Sequence, residues 1–273
     1  MEGGKSSNCA FDKLFVRNVP HILENIFFSL DYKSFKTCAE VSKVWAELLV
    51  SETFCRKAKS LFQEEILEDE KKLCSESGWG IINEVRRLLS NGLLDVNCVR
   101  GDYQSTPLGG AALMGRTEVI KLLLDKRADP NGANNYGWTP LHWAAMSGHK
   151  DVVLLLLDRG ADINKTDEDG RTPLYWAADD VQQRHTKDMV HVFMQKGADP
   201  NTAGTNGRTP LHKAAMNGDK DVIKLLLDGG ADPEVADSWG KTPRQIIAAK
   251  FKHQDVLRLL DRHTCWYMPA RLQ

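Results

Sequence analysis

Long hydrophobic runs are missing from this chain of 273 residues. The longest uninterrupted apolar stretch, Val152 to Leu157, is far shorter than the roughly 20 residues that a helix needs to cross a bilayer. The first residues also lack the apolar segment of a secretory signal. We therefore expect a soluble, non-secreted protein that resides in the cytoplasm, the nucleus or both, and that has no membrane partner.

An excess of one sign of charge is missing as well. The 36 lysines and arginines face 37 aspartates and glutamates, which leaves a formal net charge of -1 at pH 7. A domain that binds nucleic acid through its phosphates normally shows a clustered basic excess. Because no such cluster is visible, we expect no nucleic-acid partner.

Closely spaced cysteines and catalytic motifs are absent too. The six cysteines include no CxxC pair, so the sequence indicates reduced thiols and no zinc site. No nucleophile elbow, zinc-protease motif, phosphate loop or dinucleotide-binding motif occurs. We therefore expect a non-catalytic protein with no metal and no cofactor. An enzyme with an unrecognised kind of site is the alternative, and it would need a pocket with titratable groups that the sequence does not supply.

What the sequence does contain is a repeat. The dipeptide Thr-Pro recurs at positions 106, 139, 172, 209 and 242, with steps of 33, 33, 37 and 33 residues. The unit around Thr139 continues through Leu141-His142 to the apolar run at Val152 and ends near Gly160. This pattern resembles the ankyrin repeat in its period and in its T-P-L-H-x-A signature. The resemblance implies an all-α fold, a solenoid of helix-turn-helix units with β-turn fingers over residues 77–263.

The side chains of one unit fit this fold on physical grounds. The Thr139 hydroxyl can cap the first helix, and Pro140 can occupy the first helical position, where its missing N–H is harmless. Gly160 can end the second helix in a left-handed conformation. In the family, the histidine at the positions of His142 and His212 ties neighbouring turns together, so we expect both to be structural.

The repeat also divides the chain. Units begin near residues 102, 135, 168, 205 and 238, after an N-terminal cap at 77–97, and a C-terminal tail follows at 264–273. The third unit carries four extra residues, which predicts a longer turn from Gln182 to Thr186. This insertion is either a tolerated surface feature or a specificity loop.

Residues 16–62 follow a different pattern, with three short apolar segments that predict three helices. The order of residues at 18–60 resembles an F-box: Val19-Pro20 stands in the family's Leu-Pro slot and Leu30-Asp31 in its Leu-Asp slot. Four positions depart from the family's pattern, at Val19, His21, Ser42 and Cys55, and they leave its apolar frame intact. The resemblance implies docking onto the Skp-type adaptor of a cullin–RING ubiquitin ligase through Val19, Pro20, Ile22, Leu23, Ile26, Leu30, Phe35, Val41 and Trp45.

Two stretches flank this module, a tail at 1–15 and an acidic segment at 63–76 that we interpret as a solvated helical linker. The alternative for the small helical module is that it merely caps the ankyrin stack. A cap should be polar on its outer face, and residues 16–62 offer more apolar surface than a cap needs.

In ankyrin stacks, finger tips and the exposed ends of the first helices line a concave groove. The resemblance places Tyr103, Leu113, Met114, Tyr136, Trp138, Met146, Asp169, Arg171, Asp179, Arg208 and Trp239 there. We expect this groove to hold a segment of an unidentified target protein, with an apolar anchor near Trp138 and basic residues near Asp169 and Asp179. The alternative is that Trp138 folds back onto its own finger. For Trp143 and Trp176, core packing is the favoured interpretation.

These features together favour a two-module adaptor that links a target, held in the ankyrin groove, to a cullin–RING ubiquitin ligase. Ubiquitin transfer itself would be carried out by partner proteins. A plain ankyrin scaffold with no ligase role is the alternative. In other ankyrin proteins, asparaginyl hydroxylases modify the turn that holds Asn131, Asn164 and Asn201, which leaves hydroxylation of these residues open.

Overall fold

The computed structural model describes residues 63–90, 94–100, 104–179, 186–250 and 260. The F-box-like module at 16–62, Tyr103 and most of the predicted turn after Asp179 lie outside these residues. Every regular element in the described part is a helix, in agreement with the predicted all-α class. The helices are α1 (Gln63–Trp79), α2 (Ile82–Leu88), α3 (Pro107–Leu113), α4 (Thr117–Asp125), α5 (Pro140–Ser147), α6 (Lys150–Asp158), α7 (Pro173–Ala177), α8 (Thr186–Gln195), α9 (Pro210–Asn217), α10 (Lys220–Asp228) and α11 (Pro243–Lys250).

The Thr-Pro dipeptides start the inner helices of the repeats, as predicted. The Thr106 hydroxyl oxygen accepts a hydrogen bond from the Gly109 backbone N–H at 3.0 Å, and the following proline is the first residue of α3. The outer helix α6 ends before Gly160, whose φ of 89° lies in the left-handed region that favours glycine. The predicted threonine cap is therefore seen at the start of unit one, and the predicted left-handed glycine at the end of unit two.

The helices stack in two layers. In the inner layer α3, α5, α7, α9 and α11 each pack against the next, and α4, α6, α8 and α10 lie behind them. Leu141, Leu156 and Phe193 are fully buried in the one core that runs through the stack. Each unit therefore buries its apolar face against its neighbours, which is typical of a quasi-one-dimensional array.

The stack starts earlier than the sequence indicated. The segment predicted as a linker belongs to α1, which packs against α2 and α3 and buries Ile66, Leu73 and Cys74. Helices α1 and α2 therefore form the N-terminal helix pair of the stack, so the N-terminal cap includes the former linker. The acidic composition hid this role because Glu64 and Glu68 lie on the exposed face of α1, opposite its buried side chains.

Asparagine side chains connect successive units. Each of four asparagines accepts a hydrogen bond, through its amide oxygen, from the backbone N–H of an aspartate one unit later in the chain. The donor–acceptor distances lie between 2.7 and 2.9 Å, and the acceptors are Asn97, Asn131, Asn164 and Asn201. The amide nitrogens of Asn131 and Asn201 also donate to the carbonyls of Gly160 and Gly230. These side chains therefore help to fix the spacing between units.

Candidate functional site

Short side chains shape the fingers that border the concave face. The Asn134 amide oxygen accepts hydrogen bonds from the backbone N–H groups of Tyr136 and Trp138, both at 2.9 Å. In the next finger, an Asp167 carboxylate oxygen accepts from the N–H groups of Asp169 and Arg171, at 3.0 and 2.9 Å. Asparagine and aspartate favour such turns because their side chains bond to backbone two residues on. They fix where each following side chain lies.

Neighbouring fingers are also joined to one another. The Glu168 N–H donates to the Tyr136 carbonyl at 3.1 Å, and the Ser238 N–H donates to the Asn206 carbonyl at 3.0 Å. Between these contacts, the Thr205 N–H donates to the Asp169 carbonyl at 2.7 Å. The fingers of units two to five therefore form one row beside the inner helices, which gives the groove a fixed edge.

Both histidines of the repeat signature hold the backbone, as predicted. His142 Nδ1 accepts from the Thr139 backbone N–H at 3.1 Å, so the ring proton lies on Nε2, which donates to the Arg171 carbonyl at 3.1 Å. Burial lowers the pKa of His142 to about 4, despite the opposing effect of this carbonyl. His212 makes the same contacts to Thr209 and to the Lys241 carbonyl. Each imidazole is thus a neutral link between two units.

The two described cysteines form a buried pair. Cys74 Sγ of α1 lies 3.8 Å from Cys98 Sγ, and both side chains are almost fully buried. The contact with Cys74, together with burial, raises the pKa of the Cys98 thiol. Since the thiolate is the nucleophilic form, this environment is the opposite of an activated cysteine.

Several predicted groove residues offer apolar surface to solvent. The exposed fractions are 53% for Met114, 55% for Tyr136, 38% for Met146 and 64% for Trp239, while Leu113 is half-buried. Trp79 at the end of α1, exposed to 73%, was not predicted. It borders a pocket of about 170 Å³ together with Leu113 and Met114. The helical spacing of Ile66, Leu73 and Cys74 was the signal that could have placed α1, and with it Trp79, beside the first unit.

Trp138 differs from the exposed anchor that the sequence suggested. It is half-buried, and its ring centroid lies 4.6 Å from that of Trp143 and 4.4 Å from that of Trp176. The first contact lies within its own unit and the second crosses to the next unit. The structure therefore brings the three tryptophans into one cluster. Trp143 is buried, as expected of a core residue, whereas Trp176 keeps part of its surface exposed.

Three carboxylates of the finger and inner helix of unit three, those of Asp167, Asp169 and Asp179, have cationic partners within the protein. Arg171 pairs with Asp169, and its Nε lies 3.3 Å from an Asp167 oxygen. The Asp179 carboxylate lies 2.8 Å from Lys213 Nζ of unit four. A basic target segment would therefore have to compete with Arg171 and Lys213, a cost that the sequence alone did not reveal.

A similar arrangement joins units four and five. Arg208 Nε donates to an Asp237 oxygen at 3.2 Å, and its guanidinium carbon lies 4.6 Å from the Trp239 ring centroid. Next to this pair a pocket of about 500 Å³ has Met216 and Ile246 among its lining side chains. The groove thus combines apolar surface with paired charges at this end.

The family is established by comparison with family models. The model for ankyrin repeats (three copies) matches residues 73–167, 132–202 and 180–265. Because these matches span well over half of the sequence, the chain belongs to the ankyrin-repeat family, as the repeat pattern predicted. No F-box domain is detected.

The family indicates a role in protein–protein interaction, and nothing in the match points to an enzymatic activity. Within the part of the chain that the structure describes, no cluster of histidine, cysteine, aspartate and glutamate side chains is suited to a metal ion. None of the described helices is both long and apolar enough to span a membrane.

Proposed function

We propose that this ankyrin protein is a substrate-recognition adaptor of a cullin–RING ubiquitin ligase. The ankyrin groove holds a target protein, and the F-box-like module at 16–62 docks onto a Skp-type adaptor. The observation that carries the ligase link is the order of residues at 18–60, from Val19-Pro20 through Leu30-Asp31 to Val41 and Trp45. An ankyrin scaffold with no ligase role is the alternative.

The target-binding half of the proposal is supported by exposed side chains on units one and two. Met114 and Met146 at the ends of inner helices, with Tyr136 on the adjoining finger, offer large apolar groups to solvent. Such groups are typical of the energetically dominant part of a protein interface. A fixed row of fingers supports binding further, because a preorganised surface loses little conformational entropy when its partner docks.

The N-terminal helix pair helps to distinguish the ligase adaptor from the scaffold with no ligase role. Helices α1 and α2 already cover the N-terminal side of unit one. Capping of that unit therefore needs no contribution from residues 16–62, which supports a separate binding role for them.

The chain's contribution to ubiquitin transfer is positioning. Holding the target and the ligase on one polypeptide makes the encounter of a target lysine with the reactive thioester effectively intramolecular. The bond-forming chemistry belongs to the partner proteins.

Co-expression with a Skp-type adaptor tests the ligase link. Three versions of the full chain are purified by affinity: the native protein, a Pro20→Ala, Ile26→Asp variant of the F-box-like module, and a Tyr136→Ala, Met146→Ala variant of the groove. We expect stoichiometric recovery of the adaptor with the native protein and with the groove variant, and loss of recovery with the first variant. If the folded native chain recovers no adaptor, the scaffold alternative replaces the proposal.

A further inference from the structure

The tryptophan cluster forms a row across two units, and the guanidinium of Arg171 lies at one end of it. Trp138 lies between Trp143 and Trp176, and the ring planes meet at 46° and 50°, so neighbouring rings are tilted and not stacked in parallel. The guanidinium carbon of Arg171 lies 4.7 Å from the Trp176 ring centroid. The cluster therefore already accommodates one positive charge against an aromatic face.

The finger next to this end of the cluster is rich in carboxylates. Trp176 Nε1 donates to an Asp167 carboxylate oxygen at 3.1 Å, and the Asp167 side chain is only 1% exposed. The same finger carries Glu168 and Asp169, both exposed. Three carboxylates thus stand against the single cation of Arg171, which leaves the finger with a net negative charge. This charge favours a cationic ligand on the neighbouring rings.

The aromatic rings also favour one kind of cation over another. Tryptophan faces attract cations through their π-electrons, and they gain further from apolar contact. The ammonium of an unmodified lysine is compact and strongly hydrated, so it gives up much hydration when it leaves water. A methylated ammonium keeps the positive charge and covers it with apolar groups, and aromatic cages are a known means of binding it.

We propose that Trp138 and Trp176 bind a methylated lysine side chain of the target protein, while the buried Trp143 packs against Trp138 and holds its ring in place. This inference rests on the target-binding half of the proposed function. The methylated ammonium takes the place of the Arg171 guanidinium on Trp176, and Arg171 remains paired with Asp169. The half-buried state of Trp138 and Trp176 is consistent with this role, because both rings keep surface for the ligand while their contacts with each other hold them in place.

Peptide binding to the full native chain tests the proposal. The probes are three fluorescent pools of nine-residue peptides with randomised basic flanks, which differ only in the central side chain: lysine, trimethyllysine, or the neutral tert-butyl isostere of trimethyllysine. We expect the trimethyllysine pool to bind about tenfold more tightly than the isostere pool, since the two differ only in charge. Equal binding of these two pools, or no binding of either, overturns the proposal, and neither result depends on a variant that folds.

A matched pair of variants locates the site. Trp176→Leu should abolish the preference for trimethyllysine, whereas Trp239→Leu should keep it, although Trp239 also lies beneath an arginine, Arg208. Loss of the preference in both variants, or in neither, contradicts the assignment to this cluster. Thermal melting of each variant checks that the stack remains folded.

The two proposals fail separately. Recovery of a Skp-type adaptor depends on residues 16–62, so Trp176→Leu should leave it unchanged. Adaptor recovery without a methyl preference overturns only the methyl-lysine site. A methyl preference without adaptor recovery overturns only the ligase link.

Discussion

At the scale of single residues, the position three after the capping threonine ties units two and four to the units that follow them. His142 and His212 connect the start of an inner helix to a carbonyl of the following finger. In the last unit Gln245 takes this position, and its amide oxygen accepts a hydrogen bond from the Thr242 backbone N–H at 3.3 Å. Glutamine therefore preserves the local cap without a titratable ring.

This comparison predicts how stability depends on pH. The unfolded His142 takes up a proton near pH 6.5, but burial lowers the native pKa to about 4. The native state is therefore penalised as the pH falls from about 6.5 to about 4, and is unaffected above that range. Relative to His142→Gln, the native protein should lose about 2–3 kcal/mol of unfolding free energy between pH 7 and pH 4.5.

Urea unfolding of both proteins at the two pH values measures this difference. The carboxylates titrate in both proteins, so their contribution cancels in the comparison. Equal losses in the native protein and in His142→Gln would show that the imidazole is not held neutral by burial.

Whether the sequence predicts a contact depends on how far apart the two residues lie along the chain. The cap around Thr139 is local, so the T-P-L-H signature was enough to place it. The partners of Trp138 were not predicted, because its contact with Trp176 joins residues 38 positions apart and depends on how two units stack. The pair Asp179–Lys213 was missed for the same reason, since a repeat period specifies a fold but not which side chains meet across it.

At the scale of elements, α1 shows how composition can hide a packed helix. Its exposed face is rich in acids, and this suggested a solvated linker, whereas its buried side chains follow helical spacing. The segment has no Thr-Pro dipeptide, so the repeat pattern gave no reason to include it in the stack. Burial against α3 makes it a structural part of the ankyrin module.

Two leucines of α1 test this assignment. Leu73 is fully buried, whereas Leu67 is 36% exposed on the same helix. Leu73→Ala should lower the unfolding free energy by about 2–5 kcal/mol, because it leaves a cavity in the core. Leu67→Ala should cost about 1 kcal/mol or less. Chemical denaturation of the full chain measures both, and equal small effects would mean that α1 is the linker that its composition suggested.

At the scale of the whole molecule, the ankyrin stack presents a continuous surface with distinct regions. Units one and two offer apolar side chains, and unit three carries the acid-rich finger. One arginine–tryptophan pair lies in unit three, and a second joins units four and five. A one-dimensional stack suits this arrangement, because the units share one core and one row of fingers while their exposed positions differ. In the proposed function, the groove supplies recognition and the F-box-like module supplies the connection to the ligase.

The mass of the assembled complex tests this account most directly. The native chain of 30.6 kDa is mixed with a Skp-type adaptor and the adaptor-binding part of a cullin, and the mixture is analysed by size-exclusion chromatography with light scattering. The account predicts a single species with one copy of each component, which the Pro20→Ala, Ile26→Asp variant fails to form. The account would be contradicted if the folded native chain eluted at its own mass while the adaptor and the cullin eluted together as a separate, intact complex.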